Sequence, residues 1–406
     1  MPKISFKGLN MPDSPIRKLT PIADGAKALG RHVIHLNIGQ PDVQTPPMAM
    51  EAVRSMDRTV LEYSPSEGFV SYRKGLASYY SSVGVDVTPE QIMVTTGGSE
   101  ALAFAFMACL NPGDEVIIPE PFYANYNGFA ATAGVRIVPV TALLDDGFAL
   151  PSMDAFEELI TERTKAILIC NPGNPSGRKY ENDSLDTLAE LVKKHDLYLV
   201  ADEVYREFDY DGKLSRSVLS MEGLEDNAIL VDSVSKRYSM CGARIGALVT
   251  RNASVYRAAM KFAMARLSPP TMAQVASEAA LKTPASYFEE IRLEYMQRRD
   301  VLVEGLREIP GVVCPTPGGA FYAVARFPID DCDVFCKWIL ESFQWEGATV
   351  MLAPNTGFYA TPGLGKQEIR MAYVLEVSEI RKAVTCIAEA LKVYPGVVMP
   401  RTQSHS

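Results

Sequence analysis

Three short stretches put reactive residue types where chemistry can use them. The first is Asp232-Ser233-Val234-Ser235-Lys236-Arg237-Tyr238-Ser239-Met240-Cys241-Gly242-Ala243-Arg244-Ile245-Gly246, which directly follows an apolar run. A lysine just past a buried strand, flanked by hydroxyls and followed eight positions later by an arginine, suits a covalent amine beside an anion. Burial and nearby cations favour the neutral, nucleophilic form of such an amine. Ser233 and Arg244 are then candidates to hold a phosphate. The competing reading is a solvated surface lysine, the commoner state of that residue. The second stretch, Val200-Ala201-Asp202-Glu203-Val204-Tyr205, ends an apolar run in a carboxylate that could pair with a buried cation. Asp202 could equally cap the next element, and Tyr205 could donate a hydrogen bond or simply pack. The third, Thr95-Thr96-Gly97-Gly98-Ser99-Glu100-Ala101-Leu102, reads as a strand leading through two glycines into a helix. Backbone N–H groups at such a helix start point at an anion. The Walker lysine and the GxGxxG pattern are both absent, so neither a P-loop nor a dinucleotide fingerprint fits. Taken alone, two glycines are more often plain turn punctuation.

These stretches need elements to hold them. From about residue 90 to 250, short Val-, Ile- and Leu-rich runs alternate with helix-period segments, the pattern of repeated βα units and a mainly parallel sheet. The runs are Ile92–Thr95, Glu115–Pro119, Val135–Val140, Lys165–Cys170, Leu197–Ala201, Ile229–Ser233 and Ile245–Thr250. The expected architecture is therefore α/β: a large lobe with a mainly parallel seven-stranded sheet flanked by helices, plus a smaller α+β lobe. The smaller lobe is read from a charged helix from Pro284 to about Arg307, strands at Gly319–Ala325 and Ile369–Tyr373, and helices near Val334–Ser342 and Val377–Val393. Residues 1–47 form a proline-rich arm with one strand-like run, Val33–Ile38, expected to pack on the small lobe. The large domain is expected over 48–284 and the small one over 285–406. The polar tail Arg401–Ser406 reads as a frayed end.

Composition narrows the function classes. At 406 residues, 47% hydrophobic and 22% charged, the chain can bury a large core. A net charge of -9 gives no basic footprint for nucleic acid. The N-terminus has no apolar segment behind its lysines, and Ala101–Leu110 is too short to span a bilayer. A cytoplasmic protein is expected. The seven cysteines are scattered without a CxxC pair, which argues against structural zinc and for reduced thiols.

In order and spacing from about Asn37 to Tyr373 the chain resembles the class I/II aminotransferases of the fold-type I pyridoxal phosphate (PLP) family. The resemblance rests on Gly39-Gln40-Pro41-Asp42, Tyr63-Ser64-Pro65-Ser66-Glu67-Gly68, Gly97-Gly98-Ser99-Glu100, Pro121-Phe122-Tyr123, Asn171-Pro172-Gly173-Asn174-Pro175-Ser176-Gly177, Ala201–Tyr205, Ser233–Lys236, Arg244-Ile245-Gly246 and Ile369-Arg370. It implies that Lys236 carries PLP as a Schiff base and moves the substrate proton, with Asp202 pairing the pyridine nitrogen. It further implies Tyr123 stacked on the ring and Asn174 and Tyr205 bonded to its phenolic oxygen. The phosphate would be held by the Gly98, Ser99 and Glu100 amides, Ser233 and Arg244, with Tyr63 reaching it from a second subunit. Arg370 would fork the substrate carboxylate, helped by Asn174 and the Gly39 backbone. Two departures stand out: Ser176 replaces the usual Thr, and Cys241-Gly242-Ala243 replaces a Gly-Trp or Gly-Leu pair. Both are expected to leave the Schiff-base chemistry untouched. The wording from Ser235 to Arg244 is similar to bacterial aspartate aminotransferases. Ala265–Pro270 resembles a segment whose arginine binds a side-chain carboxylate across a dimer, so Arg266 is the candidate, against the alternative of an arginine satisfying carbonyls at a helix end. An amino acid and a 2-oxo acid are thus the expected small-molecule partners, aspartate and 2-oxoglutarate first, within a homodimer. Aromatic donors, or a β-lyase or synthase on the same scaffold, are the alternatives.

Overall fold

A strand buried on both faces shows no polar alternation, and here the Val/Ile/Leu runs become such strands except at the sheet edge, where Arg136–Thr141 is partly exposed. A computed structural model describes residues 2–9, 11–212 and 215–398; the tail from Arg401 lies outside the described residues. The arm contributes β1, His32–His35. The seven runs become β2 (Ile92–Thr95), β3 (Glu115–Glu120), β4 (Arg136–Thr141), β5 (Thr164–Cys170), β6 (Tyr198–Asp202), β7 (Ala228–Ser233) and β8 (Gly246–Val249). They form one sheet in the order β2-β8-β7-β6-β5-β3-β4. Its pairs are parallel except those of β8, which runs antiparallel to both β2 and β7.

Successive side chains of each strand enter different cores, as the period of two requires. Val116, Ile118, Leu168, Val200, Ile229 and Val231 belong to one cluster. Their neighbours Ile117, Ile167, Ile169, Leu199, Ala201 and Leu230 belong to the other. Each fully buried side chain of this size contributes roughly 1.5–3 kcal/mol, so helices on both faces are required. The N-cap residue Asn252 starts the helix Ala253–Arg266 by accepting from Ser254 N and Val255 N at 2.9 and 3.0 Å.

Beyond Pro284 come the helix Ala285–Arg307, strand β9 (Tyr322–Arg326), the helix Cys332–Ser342, strands β10 (Ala348–Met351), β11 (Ala353–Pro354) and β12 (Glu368–Ala372), and the helix Val377–Val393. A three-stranded antiparallel sheet has the order β11-β12-β9. β1 pairs in parallel with β10, so the arm joins the C-terminal part of the fold. The arm strand stops at His35 rather than reaching Ile38, because its partner strand ends opposite it at Met351, and the next carbonyl, Leu36 O, accepts from Ala372 N at 2.7 Å.

Candidate active site

Parallel sheets open a crevice at the carboxyl ends of their strands, and that is where the reactive residues gather. Asp202 is the last residue of β6 and Ser233 the last of β7. Lys236 follows within the turn of helix Val234–Arg237, whose start is fixed by Ser235 N donating to Ser233 Oγ at 3.1 Å. Because β8 runs the opposite way, its first residue, Gly246, sits opposite Ser233 on one side and Thr95 on the other. A Cβ at Gly246 would lie 2.5 Å from the Gly97 carbonyl carbon, and one at Gly97 would lie 2.4 Å from Arg244 Nη2. Gly97 also has φ +77°, a conformation that favours glycine. The paired glycines therefore let the Arg244 guanidinium lie directly against the helix start.

A cavity of about 620 Å³ occupies this crevice. Gly39, Gly98, Ser99, Tyr123, Asn174, Asp202, Tyr205, Ser233, Lys236, Arg244 and Arg370 all line it. Tyr63, Glu100 and Arg266 do not. Tyr63 is 76% exposed. The Glu100 carboxylate accepts from Thr96 N at 2.7 Å and pairs with Arg266 Nε at 3.4 Å, leaving only its backbone for an anion. Arg266 donates to the carbonyls of Ser66 and Val94, both at 3.3 Å. Within this chain it satisfies carbonyls near the end of its helix.

The charged groups of the cavity sit in unusual states. Asp202 is 6% exposed and accepts a hydrogen bond from the Tyr126 hydroxyl at 2.8 Å. Burial pushes its carboxyl up to about 6, partly offset by the Tyr126 bond. Among the described residues it has no ion pair. Lys236 Nζ donates to Gly39 O at 2.8 Å. Burial depresses this amine; the nearby Cys241 opposes the shift and the charge of Arg370 adds to it. Arg370, 1% exposed, donates from Nη1 to Asn174 Oδ1 at 3.2 Å and from Nη2 to Asn37 O in a short contact, while its buried Nε has no partner. Tyr322 and Phe358 sandwich its guanidinium at 4.7 and 4.8 Å. Tyr205 accepts from Asn174 Nδ2 at 3.4 Å, and its hydroxyl lies 3.0 Å from that of Tyr322.

The sequence reading missed Tyr126 and Tyr322. Nothing in the residue order links Tyr322 to Gly39, yet an added Cβ at Gly39 would lie 1.8 Å from the Tyr322 hydroxyl. The departure at Cys241 is also closer to the chemistry than expected, since its Sγ lies 3.8 Å from Lys236 Nζ. A depressed amine, a buried carboxylate without a cation, and a glycine-lined cradle beside an arginine suit an anionic aldehyde with a basic ring nitrogen.

Residues 31–387 match the family described as aminotransferase class I and II. The chain is 33% identical over 377 residues to the aspartate aminotransferase of Bacillus subtilis, covering 90% of this chain and 93% of that one. It is 32% identical over 397 residues to the aspartate/prephenate aminotransferase of Thermus thermophilus, covering 95% and 99%. A solved double mutant of the Thermus thermophilus aspartate aminotransferase superposes with a TM-score of 0.88 at 32% identity, covering 96% of this chain and all of that one. The chain belongs to the class I and II aminotransferases. Its fold is the type I fold of those enzymes, and the cofactor is pyridoxal 5'-phosphate.

Proposed function

We propose that this chain moves the amino group of an L-amino acid, with aspartate as donor, to a 2-oxo acid such as 2-oxoglutarate. The observation that carries the reading is that Lys236, Asp202 and Arg370 face one cavity. Asp202 and the Tyr205 and Asn174 donors would hold the cofactor ring, Tyr123 would cover it, and Gly98, Ser99, Glu100, Ser233 and Arg244 would hold its phosphate. When bound, pyridoxal phosphate accepts the electrons released as the substrate carbon loses its proton. Arg370 orients the substrate by its α-carboxylate, using the fork geometry that carboxylates fit; the unpartnered Nε is a donor already desolvated for that purpose. Lys236 Nζ, favoured as a neutral amine by burial, would take the proton from the substrate Cα and pass it on to the cofactor side. Asp202 supplies negative charge opposite a ring nitrogen, and such a partner relieves the cost of its burial.

The same reading divides the chain into an arm over 1–47, a cofactor domain over 48–284 and a small domain over 285–406, supported by the pairing of β1 with β10. A homodimer belongs to it as well, and the exposed Tyr63 suits a residue offered to a second subunit. All seven cysteines are unpaired, the state kept in a reducing cytoplasm.

The test is a panel of amino donors with 2-oxoglutarate, run on the wild type and on Lys236→Ala. Glutamate should form from aspartate in the wild type, and the variant should fall roughly 10²–10⁴-fold or more. Ammonia or pyruvate released without glutamate would point instead to a lyase. Full turnover in Lys236→Ala would end the proposal.

A further inference from the structure

Four cationic side chains line the cavity, Arg17, Lys236, Arg244 and Arg370, against the single carboxylate of Asp202. On the function proposed above, Arg370 takes the substrate α-carboxylate, Arg244 the cofactor phosphate, and Lys236 the covalent chemistry. Arg17 is left over. Among the described residues its guanidinium makes no hydrogen bond and no ion pair, whereas its neighbour Lys18 is paired with Asp333. Its backbone is nevertheless held in place. Arg17 N donates to Ser14 O at 3.2 Å, closing a turn, and Ile16 O accepts from Asn37 Nδ2 at 3.3 Å. The carbonyl of that same Asn37 accepts from Arg370. One buried residue, Asn37, therefore fixes both the segment bearing Arg17 and the guanidinium of Arg370. Tyr123, whose ring lines the cavity, feels the charge of both arginines at its hydroxyl.

We propose that Arg17 binds the second carboxylate of a dicarboxylic substrate whose α-carboxylate rests on Arg370, making the enzyme selective for four- and five-carbon acidic amino acids and their oxo acids. This rests on the aminotransferase reading and names its substrate class. It also moves the side-chain clamp from Arg266, whose charge Glu100 already meets, to a residue of the same chain as Lys236.

Two measurements test it, on the cofactor-loaded wild type and on Arg17→Ala, Arg17→Lys and Arg266→Ala. The first is the equilibrium affinity for maleate, a dicarboxylate without an amino group. The second is kcat/KM for the half-reaction with aspartate and with alanine, each without an acceptor. A lost charge-assisted contact is worth roughly 10–100-fold. Arg17→Ala should weaken maleate by about that factor and lower the aspartate-to-alanine ratio of kcat/KM comparably, while Arg17→Lys recovers most of both. An unchanged ratio and maleate affinity in Arg17→Ala, a wild type indifferent to acidic donors, or a selective loss in Arg266→Ala alone would overturn it. If no donor is turned over but maleate binding still depends on Arg17, the catalytic reading fails and the dicarboxylate site stands.

Discussion

Residues 202–206 and 232–237 serve two regions at once. Asp202, Tyr205, Ser233 and Lys236 line the cavity, while their neighbours Glu203, Arg206, Asp232 and Arg237 are buried among one another and Tyr79 and Tyr80. On that rear side charge meets charge. Glu203 accepts from Arg206 at 2.6 Å, from Ser217 Oγ at 2.9 Å and from Val218 N at 2.9 Å. Asp232 accepts from the Tyr80 hydroxyl at 2.8 Å and from Ser233 N at 2.7 Å, and is in close contact with Arg237. Burial alone would raise the Asp232 carboxyl, but Arg237 and Arg206 outweigh it and leave it below its ordinary value. Asp202, one strand away and also buried, has the Tyr126 hydroxyl and Val204 N as donors but, among the described residues, no paired cation, and moves the other way. Two cations outweigh burial at Asp232, whereas burial prevails at Asp202, which has none, and also at Glu203, which has Arg206 alone. The rear network ties together the strand ends whose front groups face the cavity.

Breaking the rear network should have the largest effect on stability. Asp232→Ala leaves two buried arginines short of an anion and is expected to lower stability by roughly 3–5 kcal/mol, read as a drop in the urea midpoint. A variant as stable as the wild type would show that the network stabilises nothing. The cavity side should respond with the opposite sign. In the cofactor-free protein Asp202 has a folded pKa of about 6 against an ordinary 3.8, so the folded state binds more protons than the unfolded state between those values. Stability then falls as pH rises from about 4 to 6, by at most roughly 3 kcal/mol. Asp202→Asn should melt higher than the wild type above pH 6 and match it below pH 4; a pH-independent difference would refute the assignment. The smallest change concerns ligand geometry. Arg370→Lys keeps the charge but loses the fork, and KM for the amino donor should rise roughly 10–100-fold with the fold unaltered. Steady-state kinetics would show this, and an unchanged KM would place the substrate carboxylate elsewhere.

Much of this was readable from residue order. The seven sheet strands announced themselves as unbroken apolar runs, and the helix Val377–Val393 by its period. The antiparallel direction of β8 was not readable, because a fully buried strand looks the same either way round. β10 was missed for another reason: four residues, Ala348-Thr349-Val350-Met351, carry too little pattern, and their partner strand lies at the other end of the chain. In the site, motif spacing picked out residues that line one cavity, Lys236, Asp202 and Arg370 among them. It could not locate Tyr126, whose hydroxyl reaches Asp202 across the fold, nor Arg17, which belongs to no motif and lines the cavity from a segment that Asn37 helps to hold.

Two carbonyls of the arm, at Asn37 and Gly39, accept from Arg370 and from Lys236. They are two residues apart, so their Cα atoms can be separated by no more than about 7 Å. The arm thus works as a ruler, setting the span between the Arg370 guanidinium and the Lys236 amine, the proposed anchor and proposed base, by the spacing of two residues. An insertion or deletion between positions 37 and 39 would change that gauge without altering any of the side chains proposed to act.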